Sequence, residues 1–225
     1  MLVESDYDAQ NYGKIYEIFK DSKYIENELG LSFISSGSNK LEQSGSCELV
    51  KKFVKQFIEA GNNRVYGIID YDNHNASDEK NHIYCLAEGN RYSIENCFLD
   101  PLVIGLLLIT DGFAEKYKFP ITKIIDIEKC PKEYQTIIDI IIDKLEIKKN
   151  NICQIKTVGG YKFSVPKEIL NMPGHDLEKL FKDKIPELKR YKNTNSLIDR
   201  ILFLFKSYDY LIPIELLNII KLIMQ

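Results

Sequence analysis

Apolar and polar positions alternate along this chain in two different rhythms. From residue 1 to about 110, short apolar runs alternate with segments of helical period; beyond that, helical period dominates. The clearest short run is Val65-Tyr66-Gly67-Ile68-Ile69, which follows a Gly61-Asn62-Asn63 turn signal and ends abruptly at Asp70-Tyr71-Asp72-Asn73. Its β-branched and aromatic content and its length predict a buried strand. Met1-Leu2-Val3-Glu4, Leu31-Ser32-Phe33-Ile34-Ser35 and His82-Ile83-Tyr84-Cys85-Leu86 are three further strand candidates. The first begins abruptly for a core strand, as a truncated or mis-assigned start would.

Between these runs the period is helical. Tyr12, Ile15, Tyr16, Ile18 and Phe19 mark a helix capped by Asp6 or Asp8. Leu49, Val50, Phe53, Val54, Phe57 and Ile58 form one stripe of a helix over 47–60 that stops at Gly61. Strand, helix, strand, helix, strand predicts an α/β fold with a mainly parallel sheet flanked by helices. A helix starting near Ser93 and an apolar helix over 102–109 follow.

The second half reads as a mostly α-helical extension with one β-hairpin. Helices are predicted over 131–145, 176–183, 196–205 and 213–224, and a hairpin over 152–165 around Gly159-Gly160. The division is therefore 1–110 for the α/β domain and 111–225 for a helical cap, dimerisation platform or partner-docking region.

Composition adds limits. Of the 225 residues, 44% are hydrophobic and 28% charged, ordinary for a packed globular chain. A net charge of −3 argues against a purely electrostatic nucleic-acid binder, so any such site must be a local patch, be assembled with a partner, or be helped by metal. The five cysteines are scattered with no C-x-x-C pair, and no signal peptide precedes them, which predicts reduced thiols in the cytoplasm. His74, His82 and His175 have no zinc-ligand spacing. The apolar run over 101–110 is about half the roughly 20 residues a bilayer demands, so no membrane association is expected.

Chemistry concentrates in carboxylates. On a strand, residues i and i+2 share a face, which sets Asp70 beside Asp72 at the carboxyl end of the third strand, where open α/β sheets hold ligands. Two carboxylates about 4 Å apart repel by roughly 4 kcal/mol at an effective dielectric near 20. A hard divalent cation, Mg²⁺ or Mn²⁺, relieves that repulsion, and a strand that simply stops in a polar loop is the plainer alternative. Glu4 ends the first strand and Asp8 opens the following helix, either as a helix cap or as a ligand. Glu95 lies in a helix's first turn, facing the dipole or the carboxylate cluster. The small-residue loop Ser36-Gly37-Ser38-Asn39-Lys40 is a turn, or a place where backbone can approach a phosphate.

Taken in order, Glu4, Asp8, the Asp70/Asp72 pair and Glu95 resemble the acidic series of the Toprim domain shared by topoisomerases, primases and OLD-type nucleases. Leu2-Val3-Glu4-Ser5-Asp6-Tyr7-Asp8 is similar to the V-E-G-x-x-D opening of OLD-like nucleases, with Ser5 where the family has glycine. Arg91-Tyr92-Ser93-Ile94-Glu95-Asn96-Cys97-Phe98-Leu99-Asp100-Pro101 is similar to a segment of the Toprim effectors that partner ABC-type ATPases in PARIS-type bacterial anti-phage systems. A looser likeness continues through Pro173-Gly174-His175-Asp176-Leu177.

The resemblance implies a metal-dependent nuclease acting on RNA, transfer RNA included, or on DNA. Glu4, Asp8, Asp70, Asp72 and Glu95 would be the metal set, and Glu4, Asp70, Asp72 and Glu95 the catalytic set. Lys40, Arg91 or Lys162 would contact phosphate. It also implies restraint by an ABC-type ATPase and homodimerisation through the C-terminal helices. The alternative is a Toprim-fold subunit without catalysis that docks the ATPase.

Overall fold

The computed structural model describes residues 1–26, 30–37, 46–123, 126–127 and 130–224. Two compact units emerge: Met1–Ile94 together with Ile214–Gln225, and Glu95–Pro213. Residues 95–110, grouped with the first domain on sequence pattern, pack within the second unit, and the last helix belongs to the first.

The first unit is built on a four-stranded parallel sheet. Its strands are β1 (Leu2–Val3), β2 (Ile34–Ser35), β3 (Gly67–Ile69) and β4 (Ile83–Cys85), in the order β2-β1-β3-β4. Helix α1 (Asp6–Asp21) joins β1 to β2 and α2 (Cys47–Glu59) joins β2 to β3. The chain moves one way from β1 to β2 and then the other way to β3, so right-handed crossovers lay α1 and α2 on opposite faces. The strands are shorter than the apolar runs that announced them. Leu2, Ile69, Ile83 and Cys85 pack with Val50 and Val54 of α2, while Val3 and Ile68, one residue out of step, are buried on the other face.

Helix α1 does not start at Asp6 or Asp8 as a cap. Ser5 is the N-cap: its Oγ accepts from the Asp8 N–H, and Asp8 Oδ2 accepts from the Ser5 N–H at 2.9 Å and the Ser5 hydroxyl at 2.8 Å. Helix α2 is likewise capped by Ser46, whose Oγ accepts from Leu49 N–H.

In the second unit, α3 (Glu95–Phe98) leads into α4 (Pro101–Thr110), which is buried nearly all round and begins at Asp100, its N-cap. Helix α5 (Ala114–Tyr117) and α6 (Tyr134–Leu145) follow, with α6 packed along α4. The hairpin β5 (Ile152–Lys156) and β6 (Lys162–Pro166) is antiparallel, pairs Lys156 with Lys162, and turns around the predicted Gly159-Gly160. Helices α7 (Lys167–Leu170), α8 (Gly174–Lys184) and α9 (Thr194–Ser207) complete the unit. The fold is thus the expected α/β sheet flanked by helices with a mostly helical second half and one hairpin. Among the described residues, no helix is long and apolar enough to cross a membrane.

The final helix, α10 (Ile214–Ile223), buries Leu216, Leu217, Ile219, Ile220 and Ile223 and contacts α1. That stripe is spent inside the first unit.

Gly67 is the tightest point under α2: a Cβ there would lie 2.6 Å from Val50 Cγ1 and 2.9 Å from Ile83 Cδ1. Gly67→Val is expected to overpack this layer and cost about 1–3 kcal/mol. Urea unfolding should show a lower midpoint at unchanged slope.

Candidate functional site

The strand order reverses between β1 and β3, and in open α/β sheets the crevice at the carboxyl ends of such a pair is where ligands bind. Glu4 follows β1 there and Asp70 follows β3. Glu4 Oε1 accepts from the Asp70 N–H at 3.1 Å, so one carboxylate spans the switch point. Asp70 Oδ1 in turn accepts from the Ile94 N–H at 3.1 Å.

Asp72 reaches the same region by a different route from the one the strand rule supposes. Strand β3 ends at Ile69, and Asp72 and Asn73 have φ of +50° and +62°, so the backbone has left the extended conformation in which i and i+2 must share a face. The Asp72 N–H donates to Tyr92 O at 2.9 Å. Asn75, buried, holds the turn: its Nδ2 donates to Asp70 O at 2.9 Å and lies 3.4 Å from Asp72 Oδ2. Sequence reasoning passed over Asn75. The signal was its place in Asp72-Asn73-His74-Asn75, since short amides after a strand end commonly bond back to the turn's own backbone.

Neighbouring groups register the shared negative potential. Burial, then the charges of Glu88, Asp70, Asp72 and Glu4, push the Cys85 thiol up to about 12. Burial also raises the Cys47 thiol, with Glu4, Glu48 and Asp72 acting the same way and Lys51 opposing them. The Lys51 ammonium is raised chiefly by its 2.9 Å bond to Glu48, with Glu4 adding a smaller share. Glu4, Asp70 and Asp72 therefore form one acidic patch beside the first turns of α2. Lys51, which the sequence reading did not single out, is a cation within reach of the Glu4 charge.

The remaining candidates make contacts of their own. Asp8 is engaged with Ser5 in the capping box. Ser5 itself, at φ −130° and ψ 164°, sits in ordinary extended backbone, so no glycine is required where the Toprim pattern has one. Glu95 opens the second unit, with its carboxylate against Gly174; a Cβ on Gly174 would be 3.0 Å from Glu95 Oε2. Asn96 Nδ2 donates to Ile169 O at 3.1 Å and Met172 O at 2.9 Å. The Ile94-Glu95-Asn96 and Pro173-Gly174 stretches thus meet: the first grips the turn that launches α8.

Arg91 is 1% exposed, with its Nε 3.4 Å from Glu215 Oε1. A guanidinium so enclosed is a tie between the exit of β4 and α10, and the phosphate contact expected of it does not fit this placement. Lys162 is exposed at the start of β6, in the second unit. Lys40 lies outside the described residues.

Among the described residues, no group of three or more His, Cys, Asp or Glu side chains is gathered closely enough to hold a metal ion. The patch is oxygen-only, which suits Mg²⁺ or Mn²⁺, and Mg²⁺ is commonly held by one or two carboxylates with waters and substrate phosphates completing its shell. The donors fit such an ion in kind. No family model, curated protein or solved structure matches the chain.

The Cys85 shift has a checkable consequence. At pH 8 roughly 10⁻⁴ of this thiol is ionised, and only the thiolate reacts. Iodoacetamide in native buffer should label Cys130 and Cys153 well before Cys85, which should react only on unfolding, as read by peptide mass. Because the folded thiol sits near 12 against an ordinary 9, its contribution to stability is intact below pH 9 and is lost as pH rises from 9 towards 12.

Proposed function

We propose that the chain is a metal-dependent phosphodiesterase, a nuclease of the Toprim type, with its centre at the carboxyl ends of β1 and β3. The observation that carries this reading is the Glu4 carboxylate bound to the Asp70 N–H across the switch point, with Asp72 in the same acidic patch. Glu4 and Asp72 are the residues to hold a Mg²⁺ or Mn²⁺ ion, with Asp70 beside them. Such an ion, when bound, polarises a phosphate and lowers the pKa of a water.

The chain's own groups supply the rest. Glu4, at the end of a core strand, would exchange a proton at its carboxylate as general acid or base wherever it is not taken up as a ligand to the ion. Asp70 keeps Glu4 oriented through its N–H, and Asn75 fixes the turn that presents Asp72. Lys51, which feels the Glu4 charge, is a candidate to offset phosphate charge. RNA or DNA is the substrate class, and an ABC-type ATPase is the partner that would restrain the activity, in an anti-phage role. Asp8 and Glu95 are, on this reading, supports: one caps α1, the other seats α8.

Glu4→Gln keeps an oxygen to accept from the Asp70 N–H while removing the charge. Its Mg²⁺- or Mn²⁺-dependent cleavage of total cellular RNA or plasmid DNA should fall by about 10²-fold or more, while the protein keeps a cooperative thermal transition whose midpoint drops only as far as weakening one charge-assisted hydrogen bond requires. Cleavage at the wild-type rate would remove Glu4 from the mechanism.

A second reading, a Toprim-fold docking subunit without catalysis, is favoured by one observation: the described carboxylates are engaged with backbone amides and are not collected into a three-membered set. Calorimetric Mg²⁺ titration separates the two. Heat of binding that disappears in Glu4→Gln supports the nuclease, and no heat in the wild type supports the docking subunit.

A further inference from the structure

The second unit carries a cleft of about 390 Å³ between α8 and the segment that follows it. His175, Lys179 and Lys182 stand on α8 at i, i+4 and i+7, one face of a helix, and Lys189 and Lys192 line the opposite wall. Four lysines face two carboxylates, Glu178 and Asp183, so the cleft is positive in a chain whose net charge is −3.

Its walls are fixed by bonds that leave some of these charges unspent. Glu178 is buried; it takes a hydrogen bond from Thr194 Oγ1 at 2.5 Å and pairs with Lys182 at 2.7 Å. Glu178 and Lys182 therefore neutralise each other and brace α8 against the start of α9. On the other wall the Tyr191 hydroxyl donates to Asp111 Oδ2 at 2.9 Å. Asp111, 7% exposed, also pairs with Arg190 and Arg200. Tyr191 is thereby pinned between Lys189 and Lys192. Among the described residues no carboxylate pairs with Lys179, Lys189 or Lys192, and all three are exposed. Three unpaired ammonium groups on two braced walls make a preorganised receptor for consecutive anions.

We propose that this cleft binds the phosphate backbone of a nucleic-acid strand, with Lys179, Lys189 and Lys192 each contacting phosphate. Phosphate esters suit flexible, strongly hydrated ammonium groups, which engage them as point charges. Among the residues lining the cleft there is no arginine or amide side chain to read base edges, so the ammonium contacts are electrostatic and independent of sequence. The proposal rests on the nuclease reading for its choice of polyanion, and assigns the strand a grip made by residues outside the acidic patch.

The test is binding of a labelled 20-nucleotide single-stranded RNA in EDTA, by fluorescence anisotropy across a range of salt. Lys179→Gln/Lys189→Gln/Lys192→Gln should weaken binding at least about tenfold near 0.1 M salt and make the slope of log K against log salt shallower by roughly 2. The triple arginine variant should restore both, and all three proteins should melt together, since the substituted side chains are exposed. Wild-type affinity and slope in the triple glutamine variant, or no binding by the wild type, would overturn the cleft. Polyglutamate competing as well as RNA, base for residue, would overturn the choice of nucleic acid. Lysine-dependent binding by a protein that cuts nothing in Mg²⁺ would leave the cleft standing and sink the nuclease, whereas cleavage that ignores these lysines would do the reverse.

Discussion

The first unit depends on a carboxylate doing the work of a strand. β1 has two residues and meets β3 through the single register pair Leu2 and Gly67, so the backbone ladder between the two central strands is close to its minimum. The bond from the Asp70 N–H to Glu4 extends that seam beyond the last ladder residues, and a hydrogen bond to an ionised acceptor is roughly twice as strong as a neutral one. Asp70 then passes the constraint on through Ile94. Structure and chemistry compete for the same oxygens: the groups that close the sheet edge are those a cation would draw upon. An ion bound there must either use what these bonds leave or loosen them.

The periodic parts of the sequence transferred almost directly into structure. The stripe over 47–60 is α2, the hairpin lies at 152–166, and the helices after 131 and 213 start within a few residues of where their period begins. These elements follow from local rules, caps and side-chain spacing, which need no knowledge of neighbours. The acidic patch was half legible. Glu4 and Asp70 are fixed by strand ends, which periodicity marks, and they meet. Asp72 reaches the patch through a left-handed turn that no strand rule anticipates, and the roles of Asp8 and Glu95 were decided by a serine and a glycine, Ser5 and Gly174. Arg91 misled for a related reason. Whether an arginine serves a ligand or its own chain turns on a partner 124 positions away, Glu215, and such distant pairing leaves no mark on local pattern.

The stretch Ile94-Glu95-Asn96 crosses the boundary between the two units. Ile94 gives its N–H to Asp70 in the first unit, while Asn96 fastens the turn before α8 in the second. Three consecutive residues thus serve both units. The same α8 carries one wall of the positive cleft, so Asn96 fixes the base of the element bearing Lys179.

The return of α10 to the first unit bears on timing during synthesis. Domains ordinarily fold in the order in which they are made, with residues added at about 5–20 per second. Here the second unit lies wholly inside the first in chain order, so Glu95–Pro213 can be complete while the sheet still lacks the helix that covers part of α1 and supplies the partner of Arg91. The first unit is therefore complete only after Ile214–Ile223 have been made. At that rate the ten residues of α10 take roughly 0.5–2 s, an interval in which the second unit has all of its chain and the first does not.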